Sequence, residues 1–280
     1  MNYKRILTIQ DISCFGQCSL TVALPILSAT GAETVILPSA VLSTHTGGFT
    51  GFTFRDLSDD MPKITEHWQK EGIGFDAIYT GYLGSEKQIS FIKDIFAKFG
   101  KGKLKVVDPA MADNGKLYYG FDQKYADSMA TLCAEADIVL PNISEVCFMT
   151  GVEYKENYDE SYIETLLQAL ESKGIHGSVI LTGVSYNKDT TGVIVKNADG
   201  VKYYAHKKFE RGCHGTGDVF ASAFCGALLQ GISEYDSAVI AADYVLECIA
   251  NTYGDESHKY GAKFETALPK LIKDIKEKSV

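Results

Sequence analysis

The 280-residue chain has no uninterrupted apolar run approaching the about 18 residues that a membrane-spanning helix needs, so no span is predicted. Its opening, "MNYKRILTIQD", lacks the apolar core of a secretory signal, which predicts a cytoplasmic protein. Positive charge is scarce: 27 Lys and Arg stand against 36 Asp and Glu, for a formal net charge of −9. There is no basic surplus to hold a nucleic-acid backbone or an anionic membrane. A phosphate-bearing ligand would need a local site of backbone N–H groups, a few Lys or Arg, or a metal. A disulfide framework is also missing. The seven cysteines, at positions 14, 18, 133, 147, 213, 225 and 248, are odd in number and irregularly spaced. Cys14 and Cys18 have no second pair or His cluster to complete a zinc set. Most of the cysteines read as reduced, buried small hydrophobes. No repeat, low-complexity tract or Pro/Ser-rich linker interrupts the chain, which predicts one domain over 1–280.

What is present is an ordinary globular composition, 45% hydrophobic and 22% charged. Short Val/Ile/Leu-rich runs at 5–10, 33–38, 76–81, 104–109, 136–141 and 178–183 read as strands, most ending in Gly, Pro or Asp. Continuous apolar strands suit a sheet buried on both faces. Helix-length segments at about 17–30, 58–71, 84–99, 122–134 and 158–173 alternate with them. This alternation predicts a mostly parallel, doubly wound α/β sheet. "TGVIVK" (191–196) and "VKYYAH" (201–206) flank the turn "NADG" and predict an antiparallel hairpin, followed by helices near 217–230, 234–252 and 263–277. Ligands in such sheets sit beyond the carboxyl ends of the strands, which is where chemistry is sought.

"HGTGD" at 214–218 opens the apolar helix carrying Val219, Phe220, Ala223 and Phe224. Gly215 and Gly217 suit a tight turn, and the free N–H groups at the helix start favour an anion. Asp218 is either a helix cap or a proton acceptor beside a bound phosphate. Asn142 and Glu145, three apart at a helix start, fit a capping box and equally a magnesium–phosphate cluster. Asp108 before Pro109 is a turn residue or a carboxylate at the phosphate end of a pocket. Asp113, Asn114, Gly115 and Lys116 form a polar loop, either solvated or able to close over a nucleotide with Lys116 neutralising phosphate. Thr182 and Gly183 follow a strand. For an acceptor, the strand ends offer Asp11, the loop Ser43, Thr44, His45 and Thr46, and Tyr82, with Phe49 nearby.

These motifs, in this order, resemble the ribokinase-like superfamily and, within it, the pyridoxal (vitamin B6) kinases. The segments are "TIQD" at 8–11, "LSTHTG" at 42–47, "TGYLG" at 80–84, "DPAMADNGKLY" at 108–118, "PNISE" at 141–145, "LTG" at 181–183 and "HGTGD" at 214–218. The resemblance implies a three-layer α/β/α sandwich without a large lid domain and a homodimer. It implies transfer of the ATP γ-phosphoryl group to the 5′-hydroxymethyl group of pyridoxal, pyridoxine or pyridoxamine. It places Asp218 as base and Gly215, Thr216 and Gly217 as the anion hole. Asp11, Ser43, Thr44, His45, Thr46 and Tyr82 fall at the B6 substrate. Asp108, Asn114, Lys116, Asn142, Glu145, Thr182 and Gly183 fall at ATP, with Mg²⁺ on Asp108 and Glu145 and K⁺ as an open addition. Many B6 kinases carry Ser where Asp11 stands, and Cys213 and His214 are similar to residues of the hydroxymethylpyrimidine kinases. Three alternatives therefore stand: a hydroxymethylpyrimidine kinase, an ATP-dependent NAD(P)H-hydrate dehydratase, and a non-catalytic vitamin- or nucleotide-binding protein.

Overall fold

The computed structural model describes residues 3–210 and 213–279. These fall into two compact units: the residues up to Gly84 together with those from Phe209 on, and Ser85–Lys208 between them. The first unit begins β1 (Arg5–Phe15), α1 (Leu20–Ala29), β2 (Glu33–Thr44), β3 (Phe54–Asp56), α2 (Met61–Lys70) and β4 (Ala77–Thr80). The second unit runs α3 (Glu86–Phe99), β5 (Leu104–Val107), β6 (Ala112–Asp113), β7 (Lys116–Leu117), α4 (Gln123–Cys133) and β8 (Ile138–Val139). It continues α5 (Ile143–Thr150), α6 (Glu160–Ser172), β9 (Ser178–Val184), β10 (Thr190–Asn197) and β11 (Gly200–Lys207). The chain then returns to the first unit with α7 (Thr216–Leu229), α8 (Glu234–Thr252) and α9 (Leu268–Lys278).

In the first unit the strand order is β4-β1-β2-β3, parallel except for the short antiparallel β3. In the second it is β11-β10-β9-β8-β5, with β5, β8 and β9 parallel and the β10–β11 hairpin antiparallel. The mixed α/β fold with a mostly parallel sheet and a terminal hairpin is as the sequence pattern predicts. Ile6, Leu7 and Ile9 of β1, Leu37 of β2 and Ile78 of β4 are essentially inaccessible, as are Val22 and Ile26 of α1 and Phe224 of α7, and they form the core of the first unit. Continuous apolar strands are the signature of a sheet covered on both faces.

Two differences from the sequence pattern bear on the site. The strands β1 and β2 run on past the predicted ends at Gln10 and Pro38, to Phe15 and Thr44. Their ladder continues through a register shift between Gln10 and Ile12. The extensions mix polar residues (Asp11, Ser13, Ser43) with apolar ones (Ile12, Phe15, Val41, Leu42), so no continuous apolar run marks them. The loop 113–116 is a tight hairpin between β6 and β7, with Asn114 at φ 50° and Gly115 at φ 71°. Asn-Gly with both residues at positive φ is the strongest short hairpin signal, and the flanking strands are too short for hydrophobic alternation to point to it.

Helix starts differ in a way that singles out two of them. Side chains cap α3 (Ser85), α4 (Asp122), α5 (Asn142), α6 (Asp159) and α8 (Ser233). Proline in the first turn opens α2 and α9. Only α1 and α7, among the described α-helices, begin with neither device.

Candidate active site

The uncapped start of α7 follows from Gly215, which sits at φ 75°, ψ 4° and whose Cβ, if present, would lie 1.7 Å from the Gln17 carbonyl oxygen. The loop after β1 is therefore packed directly on this turn, and only glycine fits. Within α7 the first backbone N–H to reach a helical carbonyl is that of Val219, bonded to Gly215 at 3.0 Å. The amides before it point out of the helix with the positive end of its dipole. Thr216 turns its hydroxyl inward to the Cys213 carbonyl at 3.3 Å. Gly217 is exposed, with open space where a Cβ would stand.

Asp218, in the first turn, is half-buried and does not cap its own helix. Its Oδ2 accepts the backbone N–H of Ser19 at 2.9 Å. Ser19, at the cap position of α1, lies at φ 55°, ψ −133°, which costs a non-glycine residue on the order of 1–3 kcal/mol. Asp11, at the polar end of β1, is 4% exposed, and its Oδ2 accepts the Ser13 hydroxyl at 2.9 Å. Burial pushes the Asp218 carboxyl up to about 7, opposed by the Ser19 amide and reinforced by the Asp11 charge. Burial likewise raises Asp11, against the hydroxyls of Ser19 and Ser13. Burial first, then the charges of Asp218 and Asp11, raises the Cys18 thiol, so it is an inert neighbour and not a nucleophile.

The acceptor residues expected near Asp11 gather in this same unit, with different roles. His45 is buried and both ring nitrogens are engaged: Nε2 with the Tyr260 carbonyl at 2.9 Å, and Nδ1 with the Gly47 N–H at 3.1 Å. Burial lowers its pKa, so the ring is held neutral, with the proton on Nε2. It can offer its face to a ligand but has no nitrogen to spare. Ser43 is exposed and accepts the Thr53 N–H at 2.9 Å; Thr46 is exposed. The Thr44 hydroxyl is buried without a partner among the described residues, which leaves a polar group open to a ligand. Tyr82 is half-buried, and burial raises its phenol to about 12, with a contribution from Asp11. Phe49 packs edge-on to His45 (5.0 Å between centroids) and to Phe15 (6.0 Å). Phe15 also meets Tyr260 at 4.6 Å. Phe15 and Tyr260 complete an aromatic wall that motif reading missed. Phe15 is hidden in the unexpected extension of β1, and Tyr260 comes from a segment far along the chain with no motif of its own.

In the second unit, Asn142 and Glu145 form a complete capping box. Asn142 Oδ1 accepts the Glu145 N–H at 3.0 Å, and Glu145 Oε2 accepts the Asn142 N–H at 2.8 Å. Asn142 Nδ2 also donates to the Ala112 carbonyl at 2.8 Å, and the Gly115 N–H donates to Ser144 Oγ at 2.8 Å. The β6–β7 hairpin is thereby pinned to the start of α5. It is a built element and not a loose loop. Glu145 is 3% exposed, and its Oε1 accepts the Met111 N–H at 3.2 Å. Burial and the charge of buried Asp108 push its carboxyl well up. Asn114, Asn142, Thr182 and Gly183 line a polar cavity of about 510 Å³ together with Lys188 and Lys208. Thr182 is fixed there by its N–H to the Pro141 carbonyl at 2.9 Å. Lys116 is exposed and lies outside this lining; the two cavity lysines come from the β9–β10 connection and the end of β11, where no motif marks them. Asp108 and Glu145 lie outside the lining as well.

A half-buried carboxylate at an uncapped helix start, next to outward amides, and a separate polar cavity of nucleotide size in an α/β fold together define a phosphoryl-transferring enzyme. The family model described as phosphomethylpyrimidine kinase matches residues 27–262, and the chain belongs to this family of the ribokinase-like superfamily, the one that holds the pyridoxal kinases. It is an ATP-dependent small-molecule kinase. The chain is similar to a Bacteroides thetaiotaomicron protein assigned as a phosphomethylpyrimidine kinase and crystallised with pyridoxal, at 36% identity, covering 96% of each chain with a TM-score of 0.90. It is similar to the pyridoxal kinase of Lactobacillus plantarum at 30% identity, covering 97% of this chain and 98% of that one, with a TM-score of 0.88. In sequence it is 26% identical to a pyridoxal kinase of Histophilus somni, over 89% of this chain and 90% of that one. Among the described residues no helix is long and apolar enough to cross a membrane. Membership of a kinase family leaves the dehydratase and non-catalytic alternatives behind.

Proposed function

We propose that the protein phosphorylates the 5′-hydroxymethyl group of pyridoxal, pyridoxine or pyridoxamine, with ATP as donor. The observation that carries the mechanism is the Asp218 carboxylate, anchored through Oδ2 by the Ser19 amide and raised to about 7. A base near neutrality is matched to taking a proton from an alcohol at physiological pH. The acceptor oxygen forms the new bond to the γ-phosphorus as its O–H proton passes to Asp218 Oδ1. The bond from that phosphorus to the bridging oxygen breaks, and ADP carries away the electron pair. In this reading the amides at Gly215–Gly217 take up the negative charge that develops, the preorganised stabilisation such transfers need. Phe15, Phe49 and the His45 face hold a flat ring, and Thr44, Tyr82 and Asp11 supply its polar contacts. The cavity bearing Asn114, Asn142 and Thr182 holds the nucleotide, with Lys188 and Lys208 against its charge.

Mg²⁺ bound with the nucleotide would neutralise phosphate charge. Two buried acids, Asp108 and Glu145, fit an ion that keeps several waters and needs few carboxylates. Glu145→Gln is expected to raise the Mg²⁺ concentration for half-maximal rate several-fold. An unchanged Mg²⁺ dependence removes Glu145 from the metal shell and leaves it a cap, the role in which both its oxygens already accept backbone N–H groups. The same reading carries a single catalytic domain, a cytoplasmic location and a homodimer, with K⁺ to be varied in the assay.

A second reading, phosphorylation of hydroxymethylpyrimidine, is favoured by the description of the matching family model and needs the same base. An assay of pyridoxal, pyridoxine, pyridoxamine and hydroxymethylpyrimidine with ATP separates the two. The B6 reading expects kcat/KM for at least one vitamer to exceed that for the pyrimidine by about tenfold or more, and the reverse order overturns it.

A further inference from the structure

One backbone carbonyl joins three segments of the first unit. The Tyr260 carbonyl, in the segment after α8, accepts the Gln17 N–H at 3.1 Å and the His45 Nε2–H at 2.9 Å. A carbonyl oxygen has two lone pairs and can take both donors. Gln17 belongs to the loop between β1 and α1, and that loop meets the candidate active site twice. Its Gln17 carbonyl oxygen stands 1.7 Å from where a Gly215 Cβ would be, and its Ser19 N–H donates to Asp218 Oδ2 at 2.9 Å. His45 approaches the shared carbonyl as a side chain with a fixed tautomer. Its Nδ1 accepts the Gly47 N–H at 3.1 Å, which leaves the proton on Nε2. A neutral imidazole thus carries its acceptor at the δ position and its donor at ε; Asn has both amide atoms at δ and Gln both at ε. The ring is 5% exposed, and Gly16, at φ 115°, backs it so closely that a Cβ there would meet Cδ2 at 2.2 Å.

We infer that His45 is a positioning residue for phosphoryl transfer, acting through the Tyr260 carbonyl and the loop 16–19 to align the Gly215 turn with Asp218. The inference rests on the proposed function, in which that turn and that carboxylate carry the reaction. The line of contacts is continuous: His45 Nε2 to the Tyr260 carbonyl, that carbonyl to the Gln17 amide, and the same loop to Gly215 and Asp218. Two further bonds hold the loop independently. Thr21 Oγ1 donates to the Cys18 carbonyl at 2.7 Å, and Gln17 Nε2 donates to Glu265 Oε1 at 2.9 Å. They keep the loop folded when His45 is replaced, so what is lost is alignment. With its Nε2 partner gone, the Tyr260 carbonyl holds Gln17 alone, and the segment after α8 is freer to slide against the loop. A misplacement of about 1 Å can cost up to about 10² in rate.

The test compares two replacements by steady-state kinetics with pyridoxal and ATP. His45→Gln places an Nε2 donor within reach of the Tyr260 carbonyl. His45→Asn keeps an acceptor for the Gly47 N–H but falls short of Tyr260. Both lose the imidazole ring beside the acceptor, so the pyridoxal KM is expected to rise by about two- to fivefold in each. They part in kcat: His45→Asn should lower it about tenfold and His45→Gln by no more than about twofold, with the KM for ATP within about twofold in both. Equal kcat in the two variants, near wild type or low in both, overturns the role of His45, and so does a kcat loss greater in His45→Gln. Should His45→Asn fold poorly, near-normal kcat in His45→Gln supports the role and a tenfold loss there overturns it. Imidazole ¹⁵N spectra of the wild type at about pH 7.5 supply a readout without substrate. They are expected to show His45 neutral with the proton on Nε2, and the opposite tautomer overturns the bond to Tyr260. Wild-type protein that phosphorylates none of the three vitamers, or Asp218→Asn at full rate, overturns the proposed function instead, which keeps the two failures apart.

Discussion

Asp218→Asn is expected to lower kcat by roughly 10²–10⁴ while leaving the KM for ATP and for the acceptor within a few-fold. Asparagine keeps the shape and the contact to the Ser19 amide through its carbonyl oxygen, but it cannot accept the alcohol's proton. In wild type the carboxyl must be ionised to act, so kcat/KM should climb with pH and level off above about 7, the value to which burial raises Asp218. The residual activity of the variant should lack that limb. The same shift has an opposite consequence for stability. A carboxyl that is easier to protonate when folded than when unfolded favours the fold at low pH, and that contribution is lost as pH rises from the unfolded value near 4 through about 7. At about pH 8 the neutral asparagine side chain should therefore raise the melting temperature above wild type, with the gap closing toward about pH 5. A catalytically dead but more stable variant would show that the loss is chemical. A variant with normal kcat removes Asp218 from the reaction.

Gly215→Ala and Gly217→Ala should part company. At Gly215 a methyl group would sit 1.7 Å from the Gln17 carbonyl oxygen and 3.3 Å from Cys18 Sγ, on a backbone at φ 75°. The obstacle is main chain, which cannot swing aside, so the turn and the loop after β1 must move apart. A loss of about 4 kcal/mol or more is expected in denaturant unfolding, a large share of a domain's typical stability, together with loss of activity. Gly217 has open space and no positive φ, so alanine there should fold with a midpoint at or above wild type, helped by its better helix propensity. If the amides of this turn hold the transferring phosphoryl group, that methyl meets the ligand, and kcat should fall by about 10². Wild-type rate in Gly217→Ala would show that no phosphate passes there. A stable, normally active Gly215→Ala would contradict the packing of the turn on Gln17.

Much of this site was legible in short motifs because its chemistry needs certain residues at certain local spacings. Gly215 and Asp218 announce a tight turn opening a helix, and Asn142 with Glu145 announces a helix start; both are set by hydrogen bonds within a few residues. Which of two local roles each residue takes was not legible. Asn142 and Glu145 do form the cap that their spacing allows. Asp218 does not cap its own helix; Gly215 holds the cap position, and Asp218 Oδ2 accepts the Ser19 amide, 199 positions away in sequence. His45 looked able to bond a ligand, but the carbonyl of Tyr260 takes its Nε2. Lys188 and Lys208 reach the nucleotide-sized cavity while Lys116, in the conspicuous motif, does not line it. A lysine's usefulness depends on where its strand ends, which periodicity does not record.

The sequence by itself determined the alternation of buried strands and amphipathic helices, the glycine turn and the helix starts. Each is dictated by side-chain periodicity or backbone freedom acting over a few residues. Only the tertiary structure decided that β1 runs on past Gln10 to Phe15, that Ser19 adopts a strained backbone, and that two carboxylates share a poorly solvated setting beside it. Those features depend on contacts between segments far apart in the chain. The proton affinity of Asp218 follows from burial and from a neighbouring charge, and neither exists until the chain has folded.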